Sequence, residues 1–284
     1  MSQNRSLLDS INQLIESGGL KLPVFDAVAL RLQRVVADEN HDVGEIERLI
    51  GSDQALAAEV LSAANSPFYC GLSTIRTIRN AVVRLGTQQV RYLVLMAAEH
   101  AKYRARDRNL DLLLQELWRH ASTSALAAQW LANRLRSKGI EEVCFLGGLL
   151  HDIGQLVILR AIDEIKCSEE SGFVVSPALV KEVLLTAHCQ LGYNLLRRGN
   201  VPEIYCTMAR DHHSEKFEST DLPLVIVRLA NEASRKVGVS LDPDPTLVLA
   251  ATPEANILKA SEILLAELEI MLEDHLSRKV PSAV

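Results

Sequence analysis

Aromatic residues make up only 4% of this 284-residue chain, too few for an aromatic-rich β-sandwich. Apolar/polar alternation, the mark of half-buried strands, is almost missing as well. Cysteine is sparse and odd in number: Cys70, Cys144, Cys167, Cys189 and Cys206, with no CxxC pair. That excludes a disulfide framework and a cysteine-based zinc site, and it suits a reducing cytosol. The opening stretch "MSQNRSLLDSINQLIES" has no charged-then-apolar plan of a signal peptide. No apolar run reads as the ~18 to 20 residues of a membrane span. A soluble, cytoplasmic chain with no membrane partner is expected.

What is present is helix-forming. Hydrophobic residues reach 48%, with Leu, Ala and Val prominent, and apolar groups recur at helical spacing along most of the chain. A chain of this length can bury roughly three-quarters of its unfolded surface. The pattern predicts an amino-terminal helix within 1–20, helical segments over 21–110 and 111–240, and an acidic helical extension over 241–284. Within the first of these segments, "DAVALRLQRVVAD" from Asp26 carries an apolar stripe at Val28, Leu32 and Val35. Further on, Leu112 to Arg136 and Glu141 to Leu159 each read as one helix. The acidic stretch Glu254 to Leu276 reads as a single amphipathic helix with Ile257, Leu264, Leu268 and Leu272 on one face. The fold class is all-α.

Charge is uneven. The net value is −6, yet Arg76 to Arg119 holds nine basic residues against four acidic ones. That stretch could face a phosphate-bearing partner, with short helices about Gly86 arranged in a helix-turn-helix manner. A solvated helix face is the plainer explanation. Net acidity and scarce aromatics argue against nucleic acid as the partner.

Chemistry concentrates in histidine. His120, His151, His188, His212 and His213 fall inside or at the ends of predicted helices, among small or apolar neighbours. One such residue is ordinarily a satisfied core histidine. Five in one bundle suggest convergence, because bundle cores are where metal sites are built. Imidazoles with a carboxylate suit zinc, iron, manganese or nickel, with positions left for water or phosphate. Asp152 follows His151 directly in "FLGGLLHDIGQLVIL". Neighbours on a straight helix project about 100° apart, so both can reach one ion only near a helix end or bend. Gly147, Gly148 and Gly154 would permit close helix approach there. Glu116 and His120, at i and i+4, share a helix face. A polar core that holds helix register without metal remains the alternative.

These same residues carry a resemblance. "WRHA" at 118–121, "FLGGLLHDIG" at 145–154, "AHCQLGYNLL" at 187–196 and "HH" at 212–213 resemble the HD superfamily of metal-dependent phosphohydrolases. They resemble its HDOD branch, the HD-related output domain of bacterial signalling proteins, more closely. "LPVFDAVALRLQRVVAD", "LIGSDQALAAEVLSAANSPFY" and "TIRNAVVRLGTQQVRYLVL" are similar to the amino-terminal part of HDOD domains. The likeness covers roughly Lys21 to His213 and implies an HD-type helical bundle with an amino-terminal helical subdomain. It implies metal ligands at His120, His151 and Asp152, with Asp152 the catalytic carboxylate in an active member. The related HD-GYP phosphodiesterases add counterparts of His188, His212 and His213, and Glu116 matches a bridging carboxylate by spacing. Three departures stand out. Asn231 occupies the place of the closing aspartate, Gln155 that of a lysine usual in catalytic relatives, and no GYP segment follows the double histidine.

Two functions follow from the resemblance. The first is a non-catalytic regulatory module that binds a signalling protein or a small phosphorylated ligand. The second is a metal-dependent phosphohydrolase or phosphodiesterase acting on a nucleotide or cyclic dinucleotide.

Overall fold

The computed structural model describes residues 6–17, 20, 43–52, 54–65, 74–100, 102–137, 139–168 and 175–277. Helices and turns, with no strand, make up these described residues, so the chain is all-α as expected. The helix expected from Asp26 lies outside them. The chain divides into two compact units, one of Met1–Lys21 with Tyr103–Val284, the other of Leu22–Lys102.

Helix α1 (Leu7–Glu16) belongs to the larger unit and starts with a capping box, in which Ser6 and Asp9 satisfy each other's backbone N–H. The smaller unit contains α2 (Val43–Gly51), α3 (Gln54–Ala64), α4 (Ile78–Leu85) and α5 (Thr87–His100). Ile46, Ile50, Val60, Ala64, Ala81 and Val90 form its core. Gly86 joins α4 to α5 at φ +79, a left-handed conformation that glycine adopts without a Cβ penalty.

The larger unit continues with α6 (Arg108–Arg134), α7 (Glu141–Leu150), α8 (Ile153–Cys167), α9 (Pro177–Arg198), α10 (Glu203–Asp211) and α11 (Leu222–Lys236). Small residues set its spacing. Ala121, Ala125 and Ala128 of α6 are fully buried, and Gly148 of α7 fits where an added Cβ would lie 2.8 Å from the Ala125 Cα.

Two expected helices are each divided. The stretch from Glu141 to Leu159 breaks at His151–Asp152, where Asp152 departs from helical geometry (φ −100, ψ 17). A straight helix would splay those side chains, whereas the break turns both inward. Glu141–Cys167 also corrects the expectation about apolar runs. Its most apolar 18-residue window has a mean hydropathy of 1.5, long and apolar enough to cross a membrane, but 83% of that window is buried within the protein. It is a core segment in two helices.

The acidic carboxy-terminal stretch divides into α12 (Pro253–Ile257) and α13 (Glu262–Ser277), separated by Lys259 at φ 51. Ile257 is exposed, and the buried face is Leu265, Leu268 and Leu272. These leucines share one core with Ala128 and Leu131 of α6 and Val227 and Ala230 of α11. Two acids of α13 pair with bases on the same unit, Glu267 with Arg134 and Glu269 with Lys236. The acidic helix therefore packs on its own domain.

Asp163 ties α8 to the entry of α6. Its buried carboxylate accepts the backbone N–H groups of Arg106 and Asp107 at 2.9 to 3.1 Å. Asp107 in turn caps α6 by accepting from Asn109 and Leu110. Hydrogen bonds to a charged acceptor contribute about 1.5 to 3 kcal/mol each. Asp163→Ala should lower stability by about 2 to 3 kcal/mol in urea unfolding; a midpoint equal to the parent's would refute this account.

Candidate metal centre

Five helices or helix ends deliver the cluster. His120 projects from the middle of α6, His151 and Asp152 from the α7–α8 break, and His188 from α9. His212 and His213 follow the last residue of α10. Gly154 holds α8 so close to α9 that an added Cβ would lie 1.9 Å from the His188 carbonyl oxygen. Thus the glycine two residues after Asp152 brings His188 to it.

Each of the four inner rings is anchored by its outer nitrogen. His120 Nδ1 lies 2.7 Å from the Val239 carbonyl, His151 Nδ1 2.8 Å from Gly148 O, and His188 Nδ1 2.6 Å from Leu184 O. His212 Nδ1 reaches Ala209 O at 3.0 Å. A carbonyl only accepts, so each Nδ1 carries the proton and donates it. All four Nε2 atoms are thereby turned inward as bases. His120 Nε2 and His151 Nε2 stand 3.2 Å apart, and His188 Nε2 and His212 Nε2 3.3 Å apart.

Asp152 divides its carboxylate between the two pairs. Oδ2 lies 3.4 Å from His120 Nε2 and 3.5 Å from His151 Nε2. Oδ1 lies 3.5 Å from His188 Nε2 and 3.2 Å from His212 Nε2. These atoms form two candidate ligand groups, His120–His151–Asp152 and Asp152–His188–His212–His213, each with all ligand atoms within 4.8 Å of one another. The four inner histidines are at most 4% exposed and Asp152 is 5% exposed. The His213 residue is exposed, and its ring lies 4.2 Å from that of His212.

Burial drives His151 down to about 3 and also lowers His188, despite the attraction of Asp152. Burial opposes charge on His120 too, but its contact with Asp152 raises it above the ordinary imidazole value. Burial works against ionising Asp152, yet the imidazoles around it, His151 foremost, hold it well below the usual carboxylate range.

The donors fit a metal ion. Facing Nε2 lone pairs repel unless a proton or a metal ion lies between them. The Nδ1-to-carbonyl bonds are the outer contacts that orient metal-binding imidazoles. Asp152 Oδ1 is buried without a hydrogen bond, although His212 Nε2 lies 3.2 Å away. Asn231 Nδ2 is likewise buried and unpartnered, and its side chain adjoins His120 and favours the ring's charged form.

Of the weaker candidates, Glu116 is not brought in; its carboxylate takes Arg119 at 3.3 Å. Gln155 is half-buried in the first turn of α8, where its backbone N–H closes on the Asp152 carbonyl. Asn231 lies at the edge of the cluster. The Val239 carbonyl was not visible in sequence, because a backbone acceptor leaves no residue-type signal. Cys189 Sγ, 3.3 Å from His188 Nε2, had a local one in its adjacency to His188. The described cysteines, Cys144, Cys167, Cys189 and Cys206, are all free.

Known proteins place the fold. An uncharacterised protein of Treponema pallidum strain Nichols is 25% identical over 217 residues, which span 75% of this chain and 41% of that protein. The chain thus matches about two-fifths of that relative's length. Among solved structures, an HDOD-domain protein of unknown function from Geobacter sulfurreducens superposes with a TM-score of 0.71 at 21% identity, covering 94% of each chain. A proposed metal-dependent phosphohydrolase from Shewanella amazonensis SB2B gives 0.63 at 19% identity, covering 94% of this chain and 98% of its own. At such identities the likeness establishes the fold. The HDOD-domain family model matches residues 22–215, and the chain therefore belongs to the HDOD family.

Proposed function

We propose that the chain is a regulatory HDOD module whose buried His/Asp cluster binds divalent metal to fix the bundle, and that it signals through a protein partner without turnover. One observation carries this reading: four imidazoles, each anchored through Nδ1, aim Nε2 at the two oxygens of one carboxylate. When bound, the ion supplies the positive charge these bases lack, and zinc, iron, manganese and nickel all accept such donors. His120, His151 and Asp152 would hold one ion, and His188, His212 and His213 with the other oxygen of Asp152 a second.

Two features favour regulation over hydrolysis. The inner ligands are sealed from solvent, whereas a phosphoester needs an open coordination position. Asn231, neutral and unable to act as a base, stands where the resemblance calls for a closing carboxylate. Free cysteines in every described position suit a reducing cytosol. The family resemblance favours a signalling protein as partner, with a small phosphorylated ligand as the other candidate.

Phosphohydrolase chemistry is the second reading, and the division of Asp152 between two histidine groups favours it. Asp152 would belong to both ligand groups, and metal held there would supply Lewis-acid activation of a phosphoryl oxygen and of water. One experiment separates the two. Protein purified without chelator should contain at least one metal ion per chain by elemental analysis, and His151→Ala should remove it. The metal-loaded protein should leave phosphomonoesters and cyclic dinucleotides intact in manganese or iron. Turnover that disappears in His151→Ala would establish the enzyme reading instead. Metal-free wild-type protein would refute both.

A further inference from the structure

The family match ends at residue 215, yet the cluster leans on residues beyond it. Arg228 of α11 is the clearest case. Its Nε donates to Glu254 Oε1 at 2.7 Å, and its Nη1 donates to the Asp211 carbonyl at 2.7 Å. Its guanidinium lies 3.9 Å from the Phe217 ring centroid. The two charged side chains are 11% and 4% exposed. Asp211 is the last residue of α10, and His212 and His213 come next.

The last carbonyls of a helix have no partner within it, and a cation there complements the helix dipole. Arg228 meets both needs at the carbonyl directly preceding the double histidine. A planar guanidinium offers donors in fixed directions. Glu254 sets one direction and Phe217 one face, so the donor aimed at Asp211 has little freedom left. The Asp211 carboxylate is engaged separately, by Arg210, so Arg228 acts on the backbone alone. Arg228 touches none of the imidazoles in these contacts. Its effect on them passes through the chain at Asp211.

We propose that Arg228 and Glu254 are positioning residues for the double-histidine corner, so that α11 and α12 set how tightly the Asp152–His188–His212–His213 group holds its ion. This rests on the metal reading of the cluster. It makes the carboxy-terminal segment a working part of the centre rather than an appendage to it.

The test is cobalt titration of the full metal-free chain, followed by visible ligand-field absorption. The main variant carries Arg228→Met with Glu254→Met. Replacing both members of a buried ion pair by apolar groups of similar size is often neutral for folding. The metal-free variant should therefore melt close to the parent. Loss of an outer support typically weakens a metal by about 10- to 100-fold, and one cobalt-binding step should shift by at least roughly tenfold. Parental cobalt affinity in the double variant overturns the proposal. If the double variant melts far below the parent, Arg228→Lys decides: it keeps a charge beside Glu254 but cannot donate in two fixed directions, so the donor aimed at Asp211 is lost. Cobalt binding weakened with little change in melting supports the proposal, and unchanged affinity overturns it. A parent chain that binds no cobalt refutes the metal reading itself, a result distinct from any of these.

Discussion

Alanine at position 154 should cost the protein its metal and about 2 to 3 kcal/mol of stability. Two effects compete at this residue. Gly154 lies in the first turn of α8, and alanine in a helix is favoured over glycine by about 1 kcal/mol. Against this, the new Cβ would meet the His188 carbonyl oxygen at 1.9 Å, its carbon at 2.7 Å and the Gly192 nitrogen at 2.9 Å. All three are backbone atoms of α9, so no rotamer change relieves the overlap, and the two helices must part. Overpacking of a close-packed interior costs about 1 to 3 kcal/mol, and occasionally more. A rigid overlap of this depth belongs at or beyond the upper end. The steric term wins, and His188 is carried away from Asp152 with its backbone. Gly192→Ala is the control on the opposite helix. Its Cβ would come no nearer than 3.2 Å to the Gly154 nitrogen, so the same propensity gain meets a far smaller obstacle and stability should hardly change. Urea unfolding of the metal-free chains, with metal content measured alongside, distinguishes the two. A Gly154→Ala protein as stable as its parent would show that α8 and α9 have room to spare.

That glycine also marks where sequence reading stops. The histidines and Asp152 were legible because their motifs are local and occur in a set order. Gly154 was recognised as permitting close approach, but not the neighbour it approaches, since His188 lies 34 positions later and the contact is to its backbone. The adjacency of His151 and Asp152 calls for a helix end or bend, but the residue pattern shows none there, because apolar residues run through it and burial on all sides erases the periodicity that locates helix ends. Glu116 was drawn in by i,i+4 spacing, which fixes a shared helix face only approximately; its partner is Arg119. The acidic carboxy-terminal stretch read as one helix because charge and leucine continue past Leu258. Only backbone geometry, with Lys259 at φ 51, divides it. Arg228 and Glu254, 26 residues apart, follow no periodic rule at all.

Asparagine at position 152 should abolish metal binding and leave the metal-free chain folded. The two accounts of the cluster disagree most sharply here. If the cluster is a polar core that never meets metal, the Asp152 charge is its organiser. Four imidazole nitrogens lie within 3.5 Å of its oxygens, and an uncompensated buried partner costs about 3 to 5 kcal/mol. Asp152→Asn would then weaken the fold, and added metal would change neither protein. If the cluster is a metal centre, the loss appears elsewhere. Asp152 is the only carboxylate in either ligand group, and an amide is a neutral, weaker donor. The parent should gain about 2.7 kcal/mol of stability when free metal is a hundred times its dissociation constant. Asp152→Asn should gain almost nothing at the same concentration. Thermal unfolding of both chains, with and without zinc or manganese, reads the four states directly. Geometry supports the second pattern. With each Nδ1 proton committed to a carbonyl, the Nε2 atoms meet in pairs at 3.2 and 3.3 Å, and a proton, favoured on His120 by Asp152, or a metal ion must lie between them. Removing the carboxylate from that state forfeits attraction to His120 but also relieves the cost of keeping a charge in a dry interior. The attraction outweighs that cost, because the imidazoles hold Asp152 well below the usual carboxylate range, so the metal-free variant should fold with some loss of stability while the penalty of lost metal binding falls on the loaded chain.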